Sequence, residues 1–333
     1  MTELIQDNDT VDNAVDLEIQ SCLTLEHLRS FFLFAGAGSG KTRSLVNAIN
    51  YLRSKDDPSR TNRNWLQVRG KQVAVITFTN AARDEIIERT ERDPLVLVCT
   101  IHSFAWSLIQ DFQEDIRDWL RGDLEFSIAE MVAAQGKRTR TNTKVYADTE
   151  RSIQSKTRRL ARLDGVQVFN YSPSGESSGR DSLNHSEVLK IVSNFLENHQ
   201  TMRQVLVDRF PVLLVDESQD TNRHLMDALF TVAKANEGNF CLGLLGDMMQ
   251  RIYADGKVGL GAEGSIPTTW AQPSKKMNHR SGKRIVQLIN QIRSADDKQT
   301  QTPRTDRPDS IVRLFVVDRK SSDTRAMEQM VAK

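Results

Sequence analysis

The chain has 333 residues, 38% hydrophobic and 27% charged, with 45 Lys+Arg against 44 Asp+Glu. That length holds about two domains at roughly 100–200 residues each, and the composition is that of a soluble globular protein with a sizeable core. A formal net charge of +1 excludes a global pull toward nucleic acid or anionic membrane, so any such attraction must come from local clusters.

The N-terminal ten residues are polar and acidic and read as no signal peptide. No apolar run approaches the ~20 residues of a membrane span. Cys22, Cys99 and Cys241 are far apart and form no CxxC pair. The expectation is three reduced core thiols in a cytoplasmic protein, with no metal site built from cysteine or histidine.

The first element is an apolar run at 31–34, read as a buried strand. It runs into Ala35-Gly36-Ala37-Gly38-Ser39-Gly40-Lys41-Thr42. Leu45, Val46, Ile49 and Leu52 follow on one face of a helix. Strand, glycine-rich loop and helix in this order are the context of a P-loop. Small residues let backbone N–H groups approach phosphates, and the helix N-terminus adds partial positive charge. Lys41 suits the β- and γ-phosphates of ATP, and Thr42 can offer its hydroxyl to Mg²⁺. The strict pattern begins with Gly, where this chain has Ala35.

Apolar runs at 73–78 and 95–99 continue the strand pattern. From 108 to 208 helical signals dominate, and the stretch reads as a mostly helical insert. Within it, residues 137–162 carry nine Lys/Arg against two acids. This is either a phosphate-contacting arm or a solvated surface, and aromatic residues are too sparse there for base stacking. Residues 170–186, rich in Ser, Gly and Asn, read as a loop.

The run at 212–215 ends in Asp216-Glu217-Ser218-Gln219-Asp220. Asp216 at a strand tip can hold a Mg²⁺ shell, and Glu217 can deprotonate an attacking water. Residues 241–245 form a fifth apolar run. A Gly-rich connection covers 254–264, a polar linker with Pro303 and Pro308 covers 296–310, and 311–317 reads as one more strand. Strands alternating with helices predict an α/β fold built on a parallel sheet.

Taken together, the motifs resemble those of the superfamily 1 helicases of the UvrD/Rep type. The matching segments are AGAGSGKT, VAVITFTNAA (73–82), TIHSF (100–104), DESQD (216–220), GDMMQRIY (246–253) and MNHRS (277–281), in the family's order. The resemblance runs from about Gln20 to Ser281.

It implies a RecA-like P-loop NTPase sheet with a helical insert and the start of a second RecA-like domain. The expected division is 1–107 with 208–272 as the first RecA-like domain, 108–207 as the insert, and 273–333 as the beginning of the second. It implies an ATP-dependent DNA translocase acting on single-stranded DNA or a tailed duplex, not on membrane. By the same resemblance Gln20 hydrogen-bonds adenine, Arg43 contacts the nucleotide, Gln250 senses the γ-phosphate, and Arg280 reaches it. His279 stands where the family packs a tyrosine on adenine. Thr77, Phe78, Asn80, His102 and Tyr253 then lie along the nucleic-acid path. Phe78 also reads as core, Arg280 as surface charge, and His102 as a structural histidine.

Two features depart from the family. Asp255 takes the place of a base-stacking tryptophan, and 53 residues follow Arg280, fewer than a second motor domain needs. The expectation is that this chain alone binds and hydrolyses ATP weakly and unwinds nothing, with a protein partner supplying missing motor parts. The alternatives are a nucleotide-switch ATPase subunit without unwinding activity and a small-molecule kinase. The segments 73–82 and 246–253 argue against the kinase.

Overall fold

The near-continuous apolar runs form the strands of one sheet because helices cover both of its faces. The computed structural model describes residues 11–53, 61–138, 143–173, 179, 181–251, 256–257, 259–261, 264–295, 297, 299–309 and 311–313. Two compact units divide it, one of residues 13–275 and one of residues 1–12 with 276–333.

In the larger unit, α1 (Asn13–Cys22) precedes β1 (Phe31–Ala35), α2 (Lys41–Leu52) and α3 (Thr61–Val68). Next come β2 (Val73–Thr77), α4 (Asn80–Arg89), β3 (Val96–Thr100) and α5 (Ile101–Ile109). Four helices follow: α6 (Gln113–Gly136), α7 (Lys144–Leu160), α8 (His185–Asn198) and α9 (Gln200–Arg209). Then β4 (Val212–Val215), α10 (Arg223–Ala235), β5 (Cys241–Gly246) and β6 (Ser274–Lys275) complete the unit. The strand order is β3-β2-β4-β5-β1-β6, and every pairing is parallel. This is the α/β P-loop sheet that the sequence predicts, at all five apolar runs. Strand β6 was not foreseen, because two residues leave no periodicity to read.

Side-chain alternation sends the strands' apolar groups to opposite faces. Phe32, Ala74, Ile76, Leu213, Val215, Leu242 and Leu244 join the core beneath α5, α8, α9 and α10. Phe31, Leu33, Val73, Val75, Val212, Leu214 and Leu245 join the core beneath α1, α2, α3 and α4. Most of the expected insert is helical, and α8 and α9 sink their apolar faces into the same core as the sheet. Helix α7 has no buried residue and lies along α6. All three cysteines are free and buried, and burial pushes the Cys99 thiol up to about 12. Among the described residues no helix is long and apolar enough to cross a membrane.

In the smaller unit, β7 (Met277–Asn278) pairs in parallel with β8 (Thr302–Pro303), and α11 (Lys283–Ser294) lies between them in sequence. The Asp12 carboxylate accepts hydrogen bonds from the N–H groups of Lys276 at 2.9 Å and Met277 at 3.0 Å. The strand expected at 311–317 is corrected in part: residues 311–313 form none, and the others lie outside the described residues. Ile311 and Val312 stay exposed, and an apolar run becomes a strand only where packing covers it.

Candidate functional site

Ala35, Thr77, Thr100, Val215 and Gly246 end the five long parallel strands, so the segments that follow them gather at one edge of the sheet. That carboxyl edge is where open α/β sheets bind ligands. The 36–40 loop turns there because Gly38 and Gly40 adopt φ of 74° and 86°. Gly40 caps α2 in the left-handed region, which a side chain would strain. Ser39 Oγ donates to the Gly36 carbonyl at 2.7 Å, closing the loop on itself. Lys41 is nearly buried, and its Nζ donates to the Ala35 carbonyl at 3.3 Å. Thr42 is half-buried and Arg43 exposed.

Strand β4 delivers Asp216 and Glu217 to the same edge. The Lys41 Nζ lies 3.7 Å from Glu217 Oε2. Glu217 holds φ of 49°, unusual for a residue with a side chain and a form of strain that clusters at functional sites. Asp216 is 7% exposed. Burial, and then the Glu217 charge, push its carboxyl up to about 6, against the opposing pull of Lys41 and of the Glu217 N–H at 3.1 Å.

A hydrogen-bonded line runs on from Glu217. Gln219 Nε2 donates to Glu217 Oε2 at 2.8 Å, and Gln219 Oε1 accepts from the Asp247 N–H at 3.2 Å. Gln250 Nε2 donates to Asp247 Oδ2 at 3.0 Å. The line thus joins the tip of β4 to the tip of β5. Gly246 permits it, since a Cβ there would lie 2.6 Å from Ser218 Oγ and 2.8 Å from Gln219 Oε1. Sequence reading quoted Gln219 and Asp247 inside motifs without giving either a role. Their position directly after two neighbouring strands was the available signal.

A cleft of about 820 Å³ is lined by Thr42, Phe78, Asp216, Glu217, Gln219 and Gln250. Its carboxylates and hydroxyl are oxygen donors of the kind a hard cation takes. The donor set fits Mg²⁺.

The expected nucleic-acid residues sit at the tips of β2 and β3. Phe78 is 37% exposed and Asn80 is exposed at the start of α4. Thr77 is buried, and its hydroxyl donates to the Thr79 carbonyl at 3.2 Å, so it shapes the turn. His102, in the first turn of α5, is half-buried with its ring 4.7 Å from that of His185. Tyr253 and Asp255 lie outside the described residues. Gln20 is half-buried on α1. In the smaller unit His279 is half-buried and Arg280 exposed, its N–H bonded to Asn278 Oδ1 at 3.0 Å.

One network had no sequence signal. Asp16 on α1 accepts from Ser44 Oγ at 2.5 Å and Asn47 Nδ2 at 2.8 Å on the P-loop helix, and Lys275 Nζ on β6 stands 3.3 Å away. Burial would raise the Asp16 carboxyl, but Ser44, Lys275 and Asn47 together hold it below its ordinary value.

Residues 22–255 match a family model described as an AAA domain. The chain is similar to the Gabija protein GajB of Bacillus cereus, at 25% identity over 80% of this chain and 47% of that one. It is similar to the ATP-dependent DNA helicase PcrA of Staphylococcus aureus, at 25% identity over 78% of this chain and 37% of that one. It also resembles a probable DNA helicase II homolog of Mycoplasma genitalium, at 25% identity over 82% and 42% of the two chains. The chain spans less than half the length of each of these relatives.

Proposed function

This chain belongs to the AAA domain family and carries the N-terminal motif set of the UvrD/Rep-type superfamily 1 helicases, and from that premise we propose that it is the ATP-binding portion of a translocase on single-stranded DNA. The observation that carries the reading is the shared cleft. Thr42, Asp216, Glu217 and Gln250, suited to ATP, line the same 820 Å³ space as the exposed ring of Phe78, suited to a base.

In this reading the Lys41–Glu217 pair is the resting state. The phosphates of ATP draw Lys41 away and leave Glu217 to accept the proton of the attacking water. Gln219 holds the Glu217 carboxylate in place, and the line through Asp247 to Gln250 ties that orientation to the γ-phosphate. Thr42 and Asp216 would hold Mg²⁺, which would neutralise the negative charge that develops on the phosphates. Gln20, Arg43 and His279 are proposed nucleotide contacts, and Arg280 a charge donor to the γ-phosphate. The domain division at 107, 208 and 272 belongs to the same proposal.

The test is ATP turnover with and without a single-stranded oligonucleotide. Stimulation that is lost in Phe78→Ala supports the reading. A second reading, a nucleotide switch that does not step, is favoured by Asp255 at the family's stacking position. Measurable turnover that DNA leaves unchanged would favour that second reading over the first.

A further inference from the structure

A second cavity, of about 610 Å³, opens where the end of α7 meets residues 163–169. Arg158, Arg159 and Arg162 line it, with Ser155 and Asp181. The three arginines are not equivalent. Arg159 is committed to structure: it grips both Glu187 oxygens, one at 3.1 Å, and so fastens α7 to the start of α8. Among the described residues neither Arg158 nor Arg162 pairs with a carboxylate; Arg158 Nε reaches only the Gln154 carbonyl at 3.2 Å. Arg158 lies in the last turn of α7 and Arg162 just beyond its end, and both line the cavity.

The cavity is built in advance. Leu163, Val166 and Phe169 are buried and form its apolar floor. Arg117 donates to the carbonyls of Leu163, at 3.2 Å, and of Val166, so the backbone oxygens that would repel an anion are already taken. Gln113 Oε1 accepts the Phe169 N–H at 2.7 Å and fixes the other end. Two uncommitted guanidiniums against the single Asp181 carboxylate leave one positive charge in excess. That matches the single negative charge of a phosphodiester better than a terminal phosphoryl group near −2. Guanidinium forks suit phosphate oxygens, and the apolar floor suits the carbon face of a sugar.

We propose that this cavity is a phosphodiester subsite for a nucleic-acid strand, with Arg158 and Arg162 as its ligands and Arg159 as a structural brace. The inference rests on the proposed engagement of nucleic acid and assigns that partner a second point of contact, on the insert.

The experiment compares the parent chain, the double variant Arg158→Gln/Arg162→Gln, and Arg159→Gln. Anisotropy of a labelled single-stranded oligonucleotide is followed as salt rises from about 50 to 200 mM. The double variant should lose ~10-fold in affinity and flatten the salt slope by about 0.7, one phosphate's share on a single strand. Arg159→Gln should lower thermal stability and leave the slope alone. An unchanged slope and affinity in the double variant would overturn the subsite. If the parent bound no oligonucleotide, the function proposed above would fail separately. A titration with the dinucleoside monophosphate dTpdT, read by arginine side-chain NMR, then decides the subsite. Shifts at Arg158 and Arg162 sustain it. No shifts, or a response to inorganic pyrophosphate alone, overturn it.

Discussion

Lys41 and Glu217, 176 positions apart in the chain, stand 3.7 Å apart between Nζ and Oε2. The pair joins the start of the P-loop helix to the tip of β4, across the strand β5 that separates β1 from β4. In the function proposed above, it sets the cation for phosphate beside the base for water, each neutralising the other until a nucleotide arrives.

Lys41→Ala should weaken ATP binding by roughly 10-fold or more, the loss expected for a charge-assisted hydrogen bond. A fluorescent ATP analogue titrated into folded protein measures this. Equal affinity in variant and parent would dismiss the P-loop assignment.

Glu217→Gln should leave nucleotide affinity near that of the parent and slow hydrolysis by ~10²–10⁴-fold, the typical contribution of a general base. The amide still bonds to Gln219 but accepts no proton. Single-turnover hydrolysis with single-stranded DNA present is the measurement, and a parental rate would take Glu217 out of that role.

Asp216→Asn should make the nucleotide-free protein more stable near pH 7.5. With its carboxyl pushed to about 6, folded Asp216 keeps a proton between about pH 4 and 6 that the unfolded chain has released. Stability therefore falls as pH rises through that window and levels off above it. Asparagine removes the buried charge, a gain on the order of 2–3 kcal/mol, or several degrees in Tm. The same change should abolish Mg²⁺-dependent tightening of nucleotide binding. A Tm at pH 7.5 below the parent's would contradict the account.

Asp16→Asn should have the opposite sign. A carboxyl held below its ordinary value of 3.8 contributes stability that is present above that pH and lost as pH falls through the folded value. The variant leaves Lys275 buried without its counter-charge, costing about 1–3 kcal/mol at neutral pH. Urea unfolding at pH 7 and pH 3.5 compares the two proteins. A gap that fails to narrow at the lower pH would show that Asp16 acts through packing alone.

Phe78→Ala should lower affinity for single-stranded DNA by about 1–3 kcal/mol, the usual worth of one stacked base. Its ring is 37% exposed, so thermal stability should change little. A large drop in Tm with unaltered DNA affinity would make Phe78 a core residue.

Local order decided what the sequence alone could determine. The apolar runs are strands because short, near-continuous apolar stretches suit a sheet covered on both faces, and AGAGSGKT marks its loop because glycines at 38 and 40 must take positive φ. The short strand β6 and the exposed residues 311–313 escaped the same reasoning, since two residues carry no period and an apolar run says nothing of what covers it. Tertiary structure decided everything that depends on distance in space between groups remote in sequence. Only packing shows that Gln219 joins Glu217 to Asp247, or that Asp16 gathers Ser44, Asn47 and Lys275. Among the basic residues of the insert, charge counting ranked Arg158 and Arg159 alike. The fold separates them, because Glu187 from α8 neutralises Arg159 and leaves Arg158 facing a cavity.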